Sequence, residues 1–153
     1  ISAGADRLTN AGRVGTPQLV APGCYDLVDV VGWQPLPEKW SDHPRHAHNR
    51  LITSVVLNEN ERREVAKCHC TQLSNAKGPV TVLLPAHGLG EWDREGADLH
   101  DKQGLQAFLE AFNDCLPSNA IAHNLECHIN DAAFAEKALE IFDTWCAEGI
   151  VKT

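Results

Sequence analysis

A glycine-containing segment that follows a buried apolar run is the part of the chain best suited to chemistry. The run Val80–Leu84 is typical of a buried strand, and the residues after it include His87, Gly88, Gly90 and Asp93. These types pack poorly, but they can hold an anion or a polar ligand against bare backbone. Because ligands of open α/β sheets bind outside the carboxyl ends of the strands, the segment predicts a binding site.

The segment does not match the common phosphate-binding motifs. The Gly-Lys-Ser/Thr ending of a P-loop is missing, and Gly88 and Gly90 are followed by Asp93 where a GxGxxG motif requires glycine. A tight turn that needs a positive φ is an equally good explanation of these glycines. The motif therefore indicates a site without naming its ligand.

Polar residues also follow the other predicted strands. They are Gly23, Cys24 and Asp26, then Asn58 and Glu59, and finally His128, Asn130 and Asp131. In a parallel sheet these ends share one edge, where helix N-termini offer unpaired N–H groups to an anion. Taken singly, Asn58, Asp101 and Asp131 are better explained as helix caps. Their coincidence at one edge favours a ligand site.

Histidine and cysteine residues raise further alternatives. His43, His46 and His48, which precede Asn49, could recruit a divalent metal, or they could be an exposed polar loop. A histidine oriented by Asp93 or Asp26 could act as a general base.

Cys24 could be a nucleophile if a helix N-terminus lowered its pKa. The Cys68-His69-Cys70 cluster lies on a predicted helix, where its thiols face different directions, and it lacks a second ligand pair. We therefore predict no metal site.

The hydrophobic periodicity predicts alternating strands and helices. Strands are expected at 18–22, 51–57, 80–84 and 121–129, and helices at 5–14, 58–75, 101–117 and 134–149. Residues 27–31 suit either a strand or a helix, and 32–50 is predicted to be a long ordered loop. This alternation predicts one α/β domain over residues 1–153, a three-layer Rossmann-like fold with a mainly parallel sheet flanked by helices.

Composition narrows the functional classes. The 153 residues carry a net charge of -8, which disfavours nucleic acid as a partner. No apolar run approaches the roughly 20 residues of a membrane helix, so no membrane partner is expected. Six cysteines without a disulfide framework favour the reducing cytoplasm. Because the chain contains no Met, we expect a fragment of a longer protein.

The chain resembles the C-terminal part of the tobamovirus-multiplication-inhibitor family, the Tm-one-like ATP-binding proteins. The stretches that carry the resemblance span nearly the whole chain in order. They are residues 4–8, Pro17–Asp26, His46–Asn49, Lys77–Val80, Leu84-Pro85 with Gly88, Trp92-Asp93 with Gly96, and His128–Asp131.

The resemblance implies that this is the C-terminal half of a two-domain protein with a Rossmann-like second domain. It also implies self-association to a homo-oligomer, and ATP binding mainly through a missing N-terminal domain. The chain departs from the family pattern at Asn49-Arg50, at Val56-Leu57-Asn58 and at His87–Gly90. These departures remove an Arg, a Lys and a Ser suited to phosphate, so no cofactor is assigned to this domain itself.

Two hypotheses follow. The first is a half-site for a small anion or nucleotide, closed by the missing N-terminal domain, whose residues should line one pocket. The expected ligand-binding residues are Gly23, Cys24, Asp26, His48, Asn49, Gly88, Gly90, Asp93, His128, Asn130 and Asp131. The alternative is a dimerisation or protein-interaction module anchored by the aromatic loop Trp33–Trp40. Catalytic residues, and whether the protein is an enzyme, stay open.

Overall fold

The computed structural model describes Gly4 and residues 6–151. Its helices are α1 (Thr9–Val14), α2 (Glu59–Leu73), α3 (Lys102–Cys115) and α4 (Ala132–Ala147). Its strands are β1 (Gln18–Val20), β2 (Leu27–Val31), β3 (Arg45–Ala47), β4 (Ile52–Val56), β5 (Val80–Pro85) and β6 (Ala120–Leu125). A short 3-10 helix covers Glu38–Trp40.

The central layer is a parallel sheet in the order β1-β5-β6. Strand β5 is buried along its whole length, as expected for a strand covered on both faces. Val80, Val82 and Leu84 pack into a core with α2 and α3. Leu83, which points to the other face, packs with Phe134, Ile141 and Trp145 of α4. The predicted three-layer α/β fold is therefore confirmed.

Sequence signals at the helix ends agree with the structure. The Asn58 side chain accepts a hydrogen bond from the Glu61 N–H at 3.0 Å, and Glu61 bonds back to the Asn58 N–H. This capping box begins α2. The Asp101 side chain accepts from the Gly104 N–H at 2.9 Å and begins α3. Gly15, with a φ of 82°, ends α1.

The strand predicted at residues 51–57 is present, but it does not belong to the parallel sheet. It corresponds to β4, which pairs antiparallel with β2 and β3 in a second sheet of order β2-β4-β3. Antiparallel strands need no crossover helix, so β2 can pair with β4 through the intervening 32–51 connection. That connection contains β3 and the 3-10 helix. Asn58 and Glu59 therefore do not end a strand of the parallel sheet.

The aromatic loop is attached to the start of α2. The Trp40 Nε1–H donates to Glu61 Oε1 at 2.9 Å, and His43 Nε2 lies 3.1 Å from Glu61 Oε2. Trp33 is 63% exposed. The two ends of the predicted interaction loop thus differ, since Trp40 is anchored internally while Trp33 faces solvent.

In the described part of the chain, no helix is both long enough and apolar enough to cross a membrane.

Candidate functional site

Three segments that leave the parallel sheet converge at its carboxyl edge. The Cys24 N–H, after β1, donates to the Leu89 carbonyl at 2.8 Å. The Ile129 N–H, after β6, donates to the Gly88 carbonyl at 3.2 Å. The 86–93 segment after β5 therefore lies between the other two, as the parallel topology predicts. We call it the glycine loop.

A buried carboxylate occupies the backbone donors of the glycine loop. Asp93 is 8% exposed, and its carboxylate accepts from the Leu89 N–H at 2.5 Å and from the Gly90 N–H at 3.1 Å. Its Oδ1 also lies 3.0 Å from Nε2 of His128, which is 1% exposed. The loop does form an anion cradle, but the anion that it holds is part of the protein.

The tautomer of His128 follows from its two neighbours. The Asn130 N–H donates to His128 Nδ1 at 3.1 Å, so Nδ1 is an acceptor and carries no proton. The ring proton is therefore on Nε2, where it donates to Asp93. With both ring nitrogens engaged, His128 orients Asp93 and has no nitrogen left for a ligand.

Gly88 is needed where Asp93 and His128 meet. Its φ is +133°, and a Cβ there would lie 2.6 Å from Asp93 Oδ1 and 2.6 Å from His128 Cδ2. Both distances are far below van der Waals contact. The glycine permits a close approach, as the sequence indicates, but the approaching group is this internal pair.

Asp26 is a second buried carboxyl group near this pair. It is 2% exposed, and its Oδ1 has no hydrogen-bond partner among the described residues. Burial raises its pKa to about 6, and the charge of Asp93 adds to the shift while Arg62 opposes it. Burial with one unpartnered oxygen favours the protonated form of this carboxyl group.

Cys24 is not activated as the nucleophile hypothesis requires. Burial raises the pKa of its thiol, and the charges of Asp26, Asp29 and Asp93 raise it further. The condition for a nucleophilic Cys24, a thiol pKa lowered by a helix N-terminus, is therefore not met, because burial and nearby carboxylates act in the opposite direction. Cys24 also has a φ of 56°, which is rare for a residue with a side chain.

A cavity of about 440 Å³ lies at the carboxyl edge, next to the Asp93–His128 pair. We call it the carboxyl-edge cavity. Its polar lining residues are His87, Arg94, Glu95, His100, Lys102, His128 and Asp131. Two of them are permanent cations, two are carboxylates and three are imidazoles, so the opposite charges balance and the wall is rich in hydrogen-bonding groups.

Asp131 positions one of these cations. Its Oδ1 accepts from both terminal nitrogens of Arg94, each at 3.1 Å, and its Oδ2 accepts from the His128 N–H at 2.8 Å. The His128 hydrogen bond, followed by Arg94, lowers the pKa of Asp131. Asp131 precedes α4 but makes no side-chain cap, so it acts on Arg94 and the strand end.

His100 presents one ring nitrogen that the hydrogen bonds leave available. Its Nδ1 lies 2.9 Å from the Asp93 carbonyl oxygen, which can only accept. The Nδ1 atom must therefore carry a proton, and Nε2 remains for a ligand or a second proton. Lys102 is the first residue of α3, immediately beyond Asp101.

A second cavity, of about 360 Å³, lies where the antiparallel sheet meets the glycine loop. We call it the sheet-junction cavity, and its polar lining residues are Cys24, Asp29, His48, Ser54 and Trp92. The His46 ring stacks on Trp92 at 4.5 Å, and the His48 ring meets Trp92 edge-on at 5.4 Å. This cavity carries a carboxylate and no permanent cation.

The predicted site residues do not line one pocket. Cys24 and His48 line the sheet-junction cavity, whereas His128 and Asp131 line the carboxyl-edge cavity. The other predicted site residues line neither cavity. A Cβ at Gly23 would lie 3.7 Å from Ile129 Cδ1, and one at Gly90 would lie 3.3 Å from Cys24 Sγ. The Asn49 Oδ1 accepts from the Leu51 and Ile52 N–H groups, and Asn130 donates to Glu91.

Sequence reasoning missed His87, Arg94, His100 and Lys102 as cavity residues. Their common signal is position, since all four lie between the end of β5 and the first turn of α3. Hydrophobic periodicity gives no information inside such a connection.

The three loop histidines do not gather. His43 contacts Glu61 and Asn58, while His46 and His48 contact Trp92. Among Gly4 and residues 6–151, no three His, Cys, Asp or Glu side chains are grouped as metal ligands.

Replacement of Gly88 by Ala should destabilise the fold far more than the same change at Gly96. Both glycines have positive φ, but a Cβ at Gly96 meets nothing within 4 Å. We expect Gly96→Ala to cost about 1 kcal/mol and Gly88→Ala roughly 3 kcal/mol or more. Urea unfolding measures both, and equal costs would show that Gly88 does not serve the Asp93–His128 contact.

The pH dependence of stability should carry the signature of Asp26. Its pKa is raised from 3.8 to about 6, so the folded state holds the proton more tightly than the unfolded chain. Stability should therefore fall as pH rises from about 4 to 6, by about 3 kcal/mol. Asp26→Asn should flatten this slope in urea titrations, and Asp114→Asn, an exposed control, should keep it. An unchanged slope in Asp26→Asn would contradict the assignment.

Comparison with known proteins identifies the family. Residues 1–146 match the uncharacterised protein family UPF0261, C-terminal domain. A UPF0261 protein of Brucella melitensis is 44% identical over 151 residues, which are 99% of this chain and 36% of that protein.

A UPF0261 protein of Mesorhizobium japonicum is 28% identical over 140 residues, 90% of this chain and 35% of that protein. A UPF0261 protein of Clostridium tetani is 26% identical over 136 residues, which are 88% of this chain and 34% of that protein. The chain spans about a third of the length of these curated relatives. The chain belongs to the UPF0261 family, to whose C-terminal domain it corresponds.

Proposed function

We propose that this domain binds a small anionic ligand, a carboxylate or a phosphate, in the carboxyl-edge cavity. The observation that carries the proposal is the presence of Arg94 and Lys102, together with the available ring nitrogen of His100, in one cavity at the ends of parallel strands. Ligands of α/β proteins bind at this edge.

Arg94 is prepared for an anion. A guanidinium group has five N–H donors, and the two hydrogen bonds to Asp131 use two of them. Asp131 therefore orients the group while donors remain for a ligand. A planar fork suits the paired oxygens of a carboxylate or a phosphate.

His100 and Lys102 supply the opposite wall. The hydrogen bond to the Asp93 carbonyl orients the His100 ring, and Lys102 opens α3, where the helix dipole also favours an anion. The ligand class is thereby restricted to groups that accept hydrogen bonds at two or more oxygens. The N–H groups of Leu89 and Gly90 take no part, because Asp93 occupies them.

The cavity is proposed to be half of a larger site. Relatives such as the Brucella melitensis protein are nearly three times as long as the matched segment. The resemblance to Tm-one-like proteins supports ATP binding through a domain outside this segment and self-association, and the six cysteines without a disulfide framework favour a cytoplasmic location. These remain proposals, as does nucleotide as the ligand of the present cavity.

The second candidate function is protein interaction or dimerisation. The favouring observation is Trp33, which is 63% exposed at the start of the aromatic loop. Exposed Trp side chains are common anchors of interfaces. Trp40 does not share this role because its ring nitrogen is bonded to Glu61.

Removal of a cavity cation should weaken anion binding. Inorganic pyrophosphate titrated into the 153-residue chain should shift backbone amide resonances of residues 86–102 and 128–131. Lys102→Ala and Arg94→Ala should each weaken binding about tenfold, the loss expected for one charge-assisted hydrogen bond.

Lys67→Ala removes an exposed cation from α2, away from the cavity, and should leave the affinity unchanged. Equal losses in Lys67→Ala and Lys102→Ala would reveal a general charge effect. The absence of any resonance shift near the cavity would refute the anion proposal.

The interaction hypothesis has its own measurement. If Trp33 anchors a dimer, light scattering on the wild-type chain should give twice the 16.7 kDa mass, and Trp33→Ala should halve that value. Leu51→Ala, which removes another exposed apolar side chain, is the control. A monomeric wild type would contradict dimerisation through this loop.

A further inference from the structure

Two cysteines meet at the interface between α2 and α3, outside both cavities. Cys70 lies on α2 and is 3% exposed, in the core that the two helices share with the parallel sheet. Cys115 is the last residue of α3 and is half-buried. Both are free thiols.

One carbonyl oxygen brings these thiols together. The Cys70 thiol donates to the Phe112 carbonyl at 3.6 Å, and the Cys115 thiol donates to the same oxygen at 3.7 Å. Phe112 is in the last turn of α3, where carbonyls have no N–H partner within the helix. The two sulfur atoms therefore lie on one small patch of the helix end.

The two thiols also influence each other electrostatically. Burial raises the pKa of Cys70, and the hydrogen bond and charge of Cys115 raise it further. Cys68, two residues before Cys70, is exposed instead, so the convergence is specific to one pair.

We propose that Cys70 and Cys115 form a redox-active dithiol, which closes to an intramolecular disulfide between α2 and α3. The assignment goes beyond the proposed anion site and does not depend on it. It rests on the shared carbonyl acceptor and on the different exposure of the two sulfurs.

The oxidant is a low-molecular-weight organic disulfide, RSSR. The half-buried Cys115, as its thiolate, attacks one sulfur of RSSR, breaks the S–S bond and releases RS⁻. The Cys70 thiol then attacks Cys115 Sγ as its proton leaves, and the second RS⁻ is released. The two protons that leave the protein thiols convert both RS⁻ to RSH, so one dithiol is oxidised and one RSSR is reduced.

Closure has two structural consequences. The Phe112 carbonyl loses both thiol donors, and the loop between the two cysteines becomes covalently closed. That loop contains β5, the glycine loop and Lys102. A closed loop stabilises a fold chiefly by restricting the unfolded chain.

The test is oxidation of the folded 153-residue chain with excess oxidised glutathione, followed by alkylation and peptide mass mapping. We expect a species about 2 Da lighter with a linked Cys70–Cys115 peptide, consistent with loss of two hydrogens. Its Tm should be several degrees higher, and dithiothreitol should reverse both changes.

Matched variants separate this pair from other thiols. Cys68→Ser should still give the linked peptide, whereas Cys115→Ala should abolish it and leave Cys70 as a free thiol. The proposal is overturned if folded wild type yields no Cys70–Cys115 peptide, or yields it only after unfolding in urea. Peptide mass mapping of the wild-type chain tests the Cys70–Cys115 disulfide even if a variant folds poorly.

Discussion

The carboxylate of Asp93 is the group on which the carboxyl edge of the sheet depends. It binds the N–H groups of Leu89 and Gly90 and faces the Nε2 atom of His128. These contacts join the segment after β5 to the segment after β6. A buried carboxylate is costly without donors, so three donors in one place make this conformation of the loop strongly preferred.

That carboxylate also sets the electrostatics of its surroundings. Its charge adds to the raised pKa of Asp26 and of the Cys24 thiol, both of which are already raised by burial. Asp26 and Cys24 consequently hold their protons more tightly than these side chains usually do. On the carboxyl-edge side, Asp131 holds Arg94, and the Asp93 carbonyl orients His100. One loop thus separates two cavities of contrasting character.

Membership of UPF0261 gives this geometry its context without assigning an activity. This chain has glycines and polar residues after β5, where a phosphate cradle is the natural hypothesis. Here the Asp93 carboxylate occupies the N–H donors of the glycine loop. Arg94 and Lys102, which follow the loop in the chain, supply the cations of the carboxyl-edge cavity. The interface of α2 and α3 lies apart from this edge, and its two thiols offer chemistry that the anion site does not use.

The sequence alone determined the layers and the helix ends. Val80–Leu84 predicts a buried strand because its apolar run has no polar face, and Asn58 and Asp101 predict helix starts through side-chain acceptors. These are local properties, which neighbouring residues settle. The sequence also indicated that residues near Gly88 and His128 would meet at one edge, since parallel strands end together.

Only the tertiary structure decided how those residues were used. Pairing of β4 with β2 is a long-range choice, and neither strand's pattern reveals its partner. The sequence could not show that Asp93 also faces His128, because these two residues are 35 positions apart in the chain. The same holds for Arg94 and Lys102, whose shared cavity forms where separate connections meet. The sequence specifies which chemical groups lie at each position, whereas the packing of distant segments sets the partner of each polar group.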